Sequence, residues 1–327
     1  MPRLLLSRRT LVVSAGAVLA APAARAQAAR TIRLVVPFSA GGNTDVVARI
    51  VAPRASEMLG QTVVVENRPS ASAVVGTEFV ARARPDGSTI LMIDTTLPVL
   101  PTLHPQLPFD IFRDLTPLGV AVSAPTTLII GSALPARTLQ DVIARARAEP
   151  GRLTYATGSL GGTAHLAGLL MQEAAGIRMT HAPYAGAGQA LNDLVAGHLH
   201  MTFSAYAAVQ GLLEGGRLHA IATTGAERLS IAPNLPTFRE SGLPDVVVAA
   251  HWCFYGPAGM EAPLAETLGS TLIRATLHDT TKAELERRGY VMVGANATAH
   301  ARILREEYEK WGGVMRRAGG AQGGRTQ

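Results

Sequence analysis

Residues Thr31 to Val36 form an apolar run of strand length, and from Thr44 to Leu59 apolar side chains recur at 46, 47, 50, 51, 58 and 59, the stripe of one helical face. A glycine-rich loop joins the two, and this βα unit is repeated along the chain. A strand at 62–66, a helix at 74–84, a Pro85-Asp86-Gly87 turn and a strand at 88–93 complete a first series. A second series opens near Thr126. It comprises a strand at 126–130, a helix begun by the capping box of Thr138 and Asp141, and strands at 153–156, 178–182, 199–203 and 218–223, with helices at 163–175, 187–196 and 205–214. Residues 246–255 make another strand, and helices at 262–278, 281–288 and 298–315 follow. Such alternation predicts an α/β protein whose sheets are mostly parallel and carry helices on both faces. Pro53 falls inside the first helix, where it removes a hydrogen bond and is expected to kink or loosen it.

The formal charge of +6 suggests a nucleic-acid partner until its location is considered. Arg3, Arg8, Arg9 and Arg25 lie in the first 26 residues, and Arg316, Arg317 and Arg325 follow Met315, so 27–315 holds 23 bases against 24 acids. No basic footprint for nucleic acid remains in that span. Arg8 and Arg9 precede an apolar stretch, Leu11 to Ala21, too short to span a bilayer, and Ala24-Arg25-Ala26 has the small-x-small pattern of a cleavage site. Residues 1–26 are therefore expected to be a signal peptide, with the mature protein starting at Gln27 and exported to the periplasm. The segment around Arg8 and Arg9 is compatible with either twin-arginine or general secretion. Cys253 is the single cysteine, which excludes an intrachain disulfide and a cysteine-based zinc site. Residues 319–327 are too small and polar to pack, and are expected to form a disordered tail.

Two junctions draw the chemistry together. Ser39-Ala40-Gly41-Gly42-Asn43-Thr44-Asp45 links the first strand to its helix, and Thr157-Gly158-Ser159-Leu160-Gly161-Gly162-Thr163-Ala164-His165 stands at the matching place in the second series. Glycines let a ligand approach the backbone, and free amides at a helix start favour an anion. In open α/β sheets ligands lie at the carboxyl ends of strands, so the loops are placed to face one another across a cleft. Neither loop has the Lys-Ser/Thr ending of a nucleotide phosphate loop, and Gly186 to Leu191 lacks the third glycine of a dinucleotide fingerprint. Thr157 breaks the Gly-x-Ser-x-Gly pattern around Ser159. A spatial triad from Ser39 or Ser159, His165 or His251, and Asp45 remains conceivable. The histidines show no metal-binding spacing. Asp45 also has an ordinary role at the positive end of its helix, and His165 one as a packed helix residue.

With these residues in hand, the chain resembles the Bug family, the extracytoplasmic solute receptors of tripartite tricarboxylate transporters. The resemblance rests on Val36-Pro37-Phe38 running into the first loop, Val64-Val65-Glu66-Asn67-Arg68-Pro69, Ala83-Arg84-Pro85-Asp86-Gly87, His165 to Gly168, His181 to Gly186, Leu235 to Phe238, and Glu240 to Pro244. It implies a periplasmic-binding-protein type II fold: two doubly wound lobes with a ligand cleft between them. Lobe I is expected from 27–125 plus 247–318 and lobe II from 126–246. The implied function is capture of a small organic carboxylate, whether a di- or tricarboxylate, an amino acid or an aromatic acid, for delivery to membrane transporter subunits or a sensor. No catalysis, cofactor or metal is implied, and the receptor is expected to be a monomer that is not itself membrane-inserted and binds no nucleic acid. Loop residues Ser39 to Thr44 and Ser159 to Thr163 would hold the carboxylate, Asp45 and His165 would orient loops or waters, and Phe38, Tyr184, Phe203, His251 and Trp252 would wall the pocket. Other readings are a periplasmic hydrolase built on the Ser, His and Asp set, and a sensory receptor without a transporter. The chain departs from the family at Ser70-Ala71-Ser72-Ala73, where Gly-Ala-Gly-Gly is usual, and at Ser159 and Gly162, where the family tends to have Gly and Ser or Thr.

Overall fold

The computed structural model describes residues 31–319 apart from 71, 185 and 186. The expected signal peptide with its cleavage at Gln27, and the tail beyond Gly319, lie outside the described residues.

The first series forms β1 (Ile32–Val36), α1 (Asn43–Leu59), β2 (Val63–Asn67), α2 (Val74–Ala81), β3 (Thr89–Ile93) and α3 (Thr96–Leu103). A long strand, β4 (Leu115–Pro125), then leads into β5 (Thr127–Ile130), α4 (Leu139–Ala148), β6 (Thr154–Thr157), α5 (Thr163–Ala175) and β7 (Thr180–Pro183). The second series ends with α6 (Ala187–Ala196), β8 (Met201–Ser204), α7 (Tyr206–Glu214) and β9 (His219–Thr223). The chain returns through β10 (Ala249–Pro257), α8 (Ala262–Leu277), α9 (Asp279–Arg287), β11 (Val291–Asn296) and α10 (Ala297–Arg317).

These strands make two mixed sheets, in the orders β11-β4-β10-β3-β1-β2 and β7-β6-β8-β5-β9. The βα units pair in parallel: β1 with β2 and β3, and β6 with β7 and β8. The strands at and after the crossings are antiparallel, β10 to both β3 and β4, β11 to β4, and β5 to both β8 and β9. The expectation of mostly parallel sheets is thus corrected. A strand that arrives from the other sheet enters with the opposite direction, and sequence alternation does not record that.

Each sheet is buried on both faces. Val36, Val47, Val51, Trp252 and Leu272 fill one side of the first sheet, and Val35, Leu91, Leu97, Val120 and Leu304 fill the other. In the second, Leu128, Tyr155, Leu166 and Phe203 oppose a cluster of Ile129, Leu194 and Val209. Fully buried aliphatic side chains such as Val36 and Leu128 stabilise the fold by roughly 1.5–3 kcal/mol each before chain entropy is subtracted. α10 belongs to both bodies, because Leu304 packs behind the first sheet while Trp311, Val314 and Met315 are buried in the core of the second.

A single residue, Thr126, separates β4 in one sheet from β5 in the other. The returning chain is fastened beside it: Thr224 N donates to Thr126 O at 2.8 Å, Thr126 N to Thr224 Oγ1 at 3.1 Å, and Val248 N to Thr224 O at 3.0 Å. The carboxyl ends of β1 and β6 meet above this crossing. Pro53 does not interrupt α1, since it lies on the exposed side where water can satisfy the freed carbonyl of Arg49.

Candidate functional site

The loop after β1 is built around one buried carboxylate. Gly41 has φ of 82°, which turns the chain so that its N–H donates to Asp45 Oδ2 at 2.9 Å, four residues on. Arg49 Nε donates to the same oxygen at 2.9 Å, and Asn67 Nδ2 to Oδ1 at 2.9 Å. The Asn67 amide also reaches Phe38 O at 3.1 Å, so the end of β2 is tied to the loop after β1. Asp45 is 2% exposed. Burial alone would raise its carboxyl, but the hydrogen bonds from Arg49, Gly41 and Asn67 together hold it below the usual carboxylate range.

The loop after β6 repeats the arrangement with a different side chain. Gly161 has φ of 74°, and its N–H donates to His165 Nδ1 at 3.1 Å, again four residues on. His165 stacks on His181 at 4.4 Å between ring centroids, and His181 Nε2 lies 2.7 Å from Thr157 Oγ1. Burial, with a smaller contribution from His181, pushes His165 down to about 3, so the ring is neutral at pH 7 and Nδ1 can accept. The two loops thus correspond position by position, from Ser39 and Ser159 through Gly41 and Gly161 to Asp45 and His165.

Both loops open onto one cavity of about 560 Å³. Its lining includes Phe38, Ser39, Gly42, Asn43 and Thr44 from the first loop, and Gly158, Ser159, Gly162, Thr163 and Ala164 from the second. Gly42 and Gly162 are the N-caps of α1 and α5 with nearly identical backbones, φ and ψ of −74° and 167° against −72° and 169°. No side chain caps either helix. The remaining wall comes from Pro69, Ser70, Asp94, Thr96, the crossing residues Ala124 to Thr126, Ala187, Leu191, Thr202 to Ala205, Ala250 and Trp252. Trp252 is fixed by a 3.0 Å hydrogen bond from Nε1 to Thr44 Oγ1.

Of the residues singled out in the sequence, Phe38, Ser39, Gly42, Asn43, Thr44, Ser159, Gly162, Thr163, Phe203 and Trp252 line the cavity. Asp45 and His165 stand behind it and hold the loops. The amides of Gly41 and Gly161 are spent on those two side chains, while the first helical residues, Asn43, Thr44, Thr163 and Ala164, line the cavity. Ala40 and Leu160 are not in the wall, and Leu160 packs against the core of the second sheet. Tyr184 donates to Asp193 Oδ2 at 2.7 Å, and the His251 ring is paired with Glu307 at 2.7 Å, so neither takes part in the wall. The histidines and the aspartate of the conceivable triad each have another partner: His251 pairs with Glu307, His165 accepts from Gly161, and Asp45 accepts from Gly41, Arg49 and Asn67. Sequence reading overlooked Asp94 and Thr96, which follow β3 at its carboxyl end, the position where the two recognised loops also lie. No group of His, Cys, Asp and Glu suited to a metal ion is found among the described residues.

A family model described as the tripartite tricarboxylate transporter family receptor matches residues 47–319. The chain is 31% identical to the protein BugT of Bordetella pertussis over 322 residues, 98% of each chain. Among solved structures it is similar to R. palustris Rpa4515 with adipate, with a TM-score of 0.83, 31% identity and coverage of 90% of this chain and 99% of that one. MatC from Rhodopseudomonas palustris with bound malate gives a TM-score of 0.78 at 27% identity, covering 87% and 98%. The periplasmic binding protein BugD gives 0.79 at 29%, covering 89% and 98%.

Proposed function

Because the chain belongs to the tripartite tricarboxylate transporter receptor family, we propose that it is a periplasmic receptor which holds a small organic carboxylate in the cavity between its two sheets and presents it to membrane subunits of such a transporter. The observation that carries this reading is the convergence of two uncapped helix starts on one cavity. Each leaves amide N–H groups without a side-chain partner, and each adds the positive end of a helix dipole, so together they offer a carboxylate several donors at no cost in displaced protein contacts. Thr138 and Asn296 cap α4 and α10, while α8 and α9 are uncapped away from the cavity, so what marks α1 and α5 is that their uncapped starts share one cavity. The lobes of the receptor are the bodies around the two sheets, joined at Thr126 and Thr224. Asn43, Thr44, Thr163 and Ala164 supply the amides, Ser39 and Ser159 supply hydroxyls, and Phe38, Phe203 and Trp252 enclose the carbon skeleton. The protein performs no chemistry on its ligand and acts without a cofactor. Residues 1–26 direct export and are then cleaved off, and among the described residues no helix is long and apolar enough to cross a membrane.

The relatives that carry adipate and malate direct the test. Ligand-free protein is screened by thermal denaturation against adipate, malate and a wider panel of dicarboxylates, tricarboxylates, amino acids and aromatic acids. A ligand at 100 times its Kd adds about 2.7 kcal/mol, and at least one carboxylate is expected to raise the Tm by several degrees. A flat response from folded, ligand-free protein across the whole panel overturns the proposal.

A further inference from the structure

The cavity wall contains one ionisable side chain among the described residues, and it is an acid, Asp94. A carboxylate in the wall of an anion site is at odds with its surroundings unless something supplies a counter-charge. The chain does not. Thr96 N donates to Asp94 Oδ1 at 3.0 Å, which satisfies one oxygen, and no ion pair involves Asp94 among the described residues. The groups that sense its charge are Glu307, Cys253 and Tyr290, all acids, and the nearby His251 is committed to Glu307 at 2.7 Å. Enclosure, opposed by the bonds to Thr96 and reinforced by Glu307, holds the Asp94 carboxyl above the usual carboxylate range. An enclosed carboxylate without a cation is costly, and one that faces a cavity can be neutralised by what enters it.

We infer that Asp94 is the specificity-determining residue of this site, pairing with an ammonium group on a ligand whose carboxylate lies at the starts of α1 and α5. This rests on the receptor reading above and narrows it to amine-bearing carboxylates. The positive helix ends and the negative Asp94 then make the cavity complementary to a zwitterion. Ligands that lack the amine leave Asp94 unpaired and meet it as a like charge, which is discrimination by repulsion as well as by attraction.

Matched probes separate these effects: aspartate against succinate, and 2-aminoadipate against adipate, titrated calorimetrically into the wild type and Asp94→Asn. The amide keeps an acceptor for Thr96 N–H, so α3 retains its start, and Asp94→Ser serves as a second variant if the first folds poorly. In the wild type the better aminated member of the two pairs is expected to bind at least 10-fold more tightly than its partner. Asp94→Asn should weaken that ligand at least 10-fold and strengthen the unaminated one, changing the ratio rather than affinity alone. Equal or tighter binding of the unaminated acids to the wild type, undisturbed by Asp94→Asn, overturns the inference and leaves the receptor standing. Tighter binding of the aminated ligands to the wild type at pH 5 than at pH 8 also overturns it, because a protonated Asp94 would then serve them better than the carboxylate that is to pair with their ammonium group. Failure of every carboxylate to bind overturns the receptor reading and this inference with it.

Discussion

Gly42 and Gly161 look interchangeable in the sequence, yet their backbones place different demands on them. Gly42 has φ of −74°, and a Cβ there would meet only Ser39 O at 3.4 Å. Gly161 has φ of 74°, and a Cβ there would clash with Leu103 Cδ1 and approach Val99 Cγ1 to 2.9 Å. Gly161→Ala therefore combines left-handed strain of roughly 1–2 kcal/mol with overpacking against α3, and is expected to destabilise the protein by about 2–4 kcal/mol. Gly42→Ala should cost at most about 1 kcal/mol, that of a poorer N-cap. Denaturant melts of the two variants check this, and equal losses would contradict it. The glycine pairs were legible in the sequence because glycine is rare where a side chain would do. What the pairs do was not, since the choice between an amide that meets a ligand and one that meets Asp45 or His165 depends on φ. Asp94 escaped for a similar reason: an Asp ahead of Thr95-Thr96-Leu97 reads as a helix-start residue, and only the cavity shows its second face. The departure at Ala73 also acquires a physical meaning, since this buried residue sits at φ of 60°, a conformation that the family's usual glycine adopts without strain.

At the scale of elements, α4 starts on a side-chain capping box away from the cavity, whereas α1 and α5 start uncapped beside it. The Thr138 side chain accepts from Asp141 N at 3.1 Å, and Asp141 Oδ2 accepts from Thr138 N at 2.9 Å. Thr138→Ala should remove about 1 kcal/mol of stability while leaving the affinity for any carboxylate that binds unchanged within twofold, because α4 does not reach the cavity wall. A loss of affinity in step with stability would show that α4 is coupled to the site. This capping box was visible in the sequence, as were most βα units, whose periodicity changes cleanly from strand to helix. Two elements were not visible. α3 contains Pro98 and Pro101 and is apolar on every side, six of its eight residues being buried, so it shows no polar face to mark a helical stripe. β11 is an edge strand with an irregular register against β4 and Gly294 at φ of 60°, which leaves no alternation to detect.

For the whole molecule, acid is the condition under which both bodies are weakened together. His165 sits beneath the second-sheet loop, and His300, fully buried, accepts Gly119 N at 3.1 Å through Nδ1 beside the first sheet. Burial is the main cause that pushes each of them down to about 3. In the unfolded chain both titrate near 6.5, so below that pH the unfolded state binds more protons than the native one, and stability falls as pH falls. Each then contributes a loss of roughly 1.4 kcal/mol per pH unit between pH 6.5 and about 3. Together they remove about 4 kcal/mol by pH 5, a large part of the 5–15 kcal/mol typical of a folded protein. Asp45, held low by its hydrogen bonds, adds a loss of the same sign in more acidic solution, whereas Asp94, held high, opposes it. Protonation of His165 Nδ1 also replaces an acceptor by a donor opposite Gly161 N–H, so the second-sheet loop should open before the chain unfolds. Urea melts at pH 7, 6 and 5 are expected to show a stability slope of at least about 2.4 kcal/mol per pH unit over the lower half of that range, to which His181, pushed down to about 4 by burial, adds. His165→Asn and His300→Asn, which keep an acceptor without a titrating ring, should each reduce the slope by roughly 1.4 kcal/mol per pH unit. A wild-type stability that is level from pH 7 to 5, or a slope untouched by both substitutions, would show that these rings do not carry the acid response.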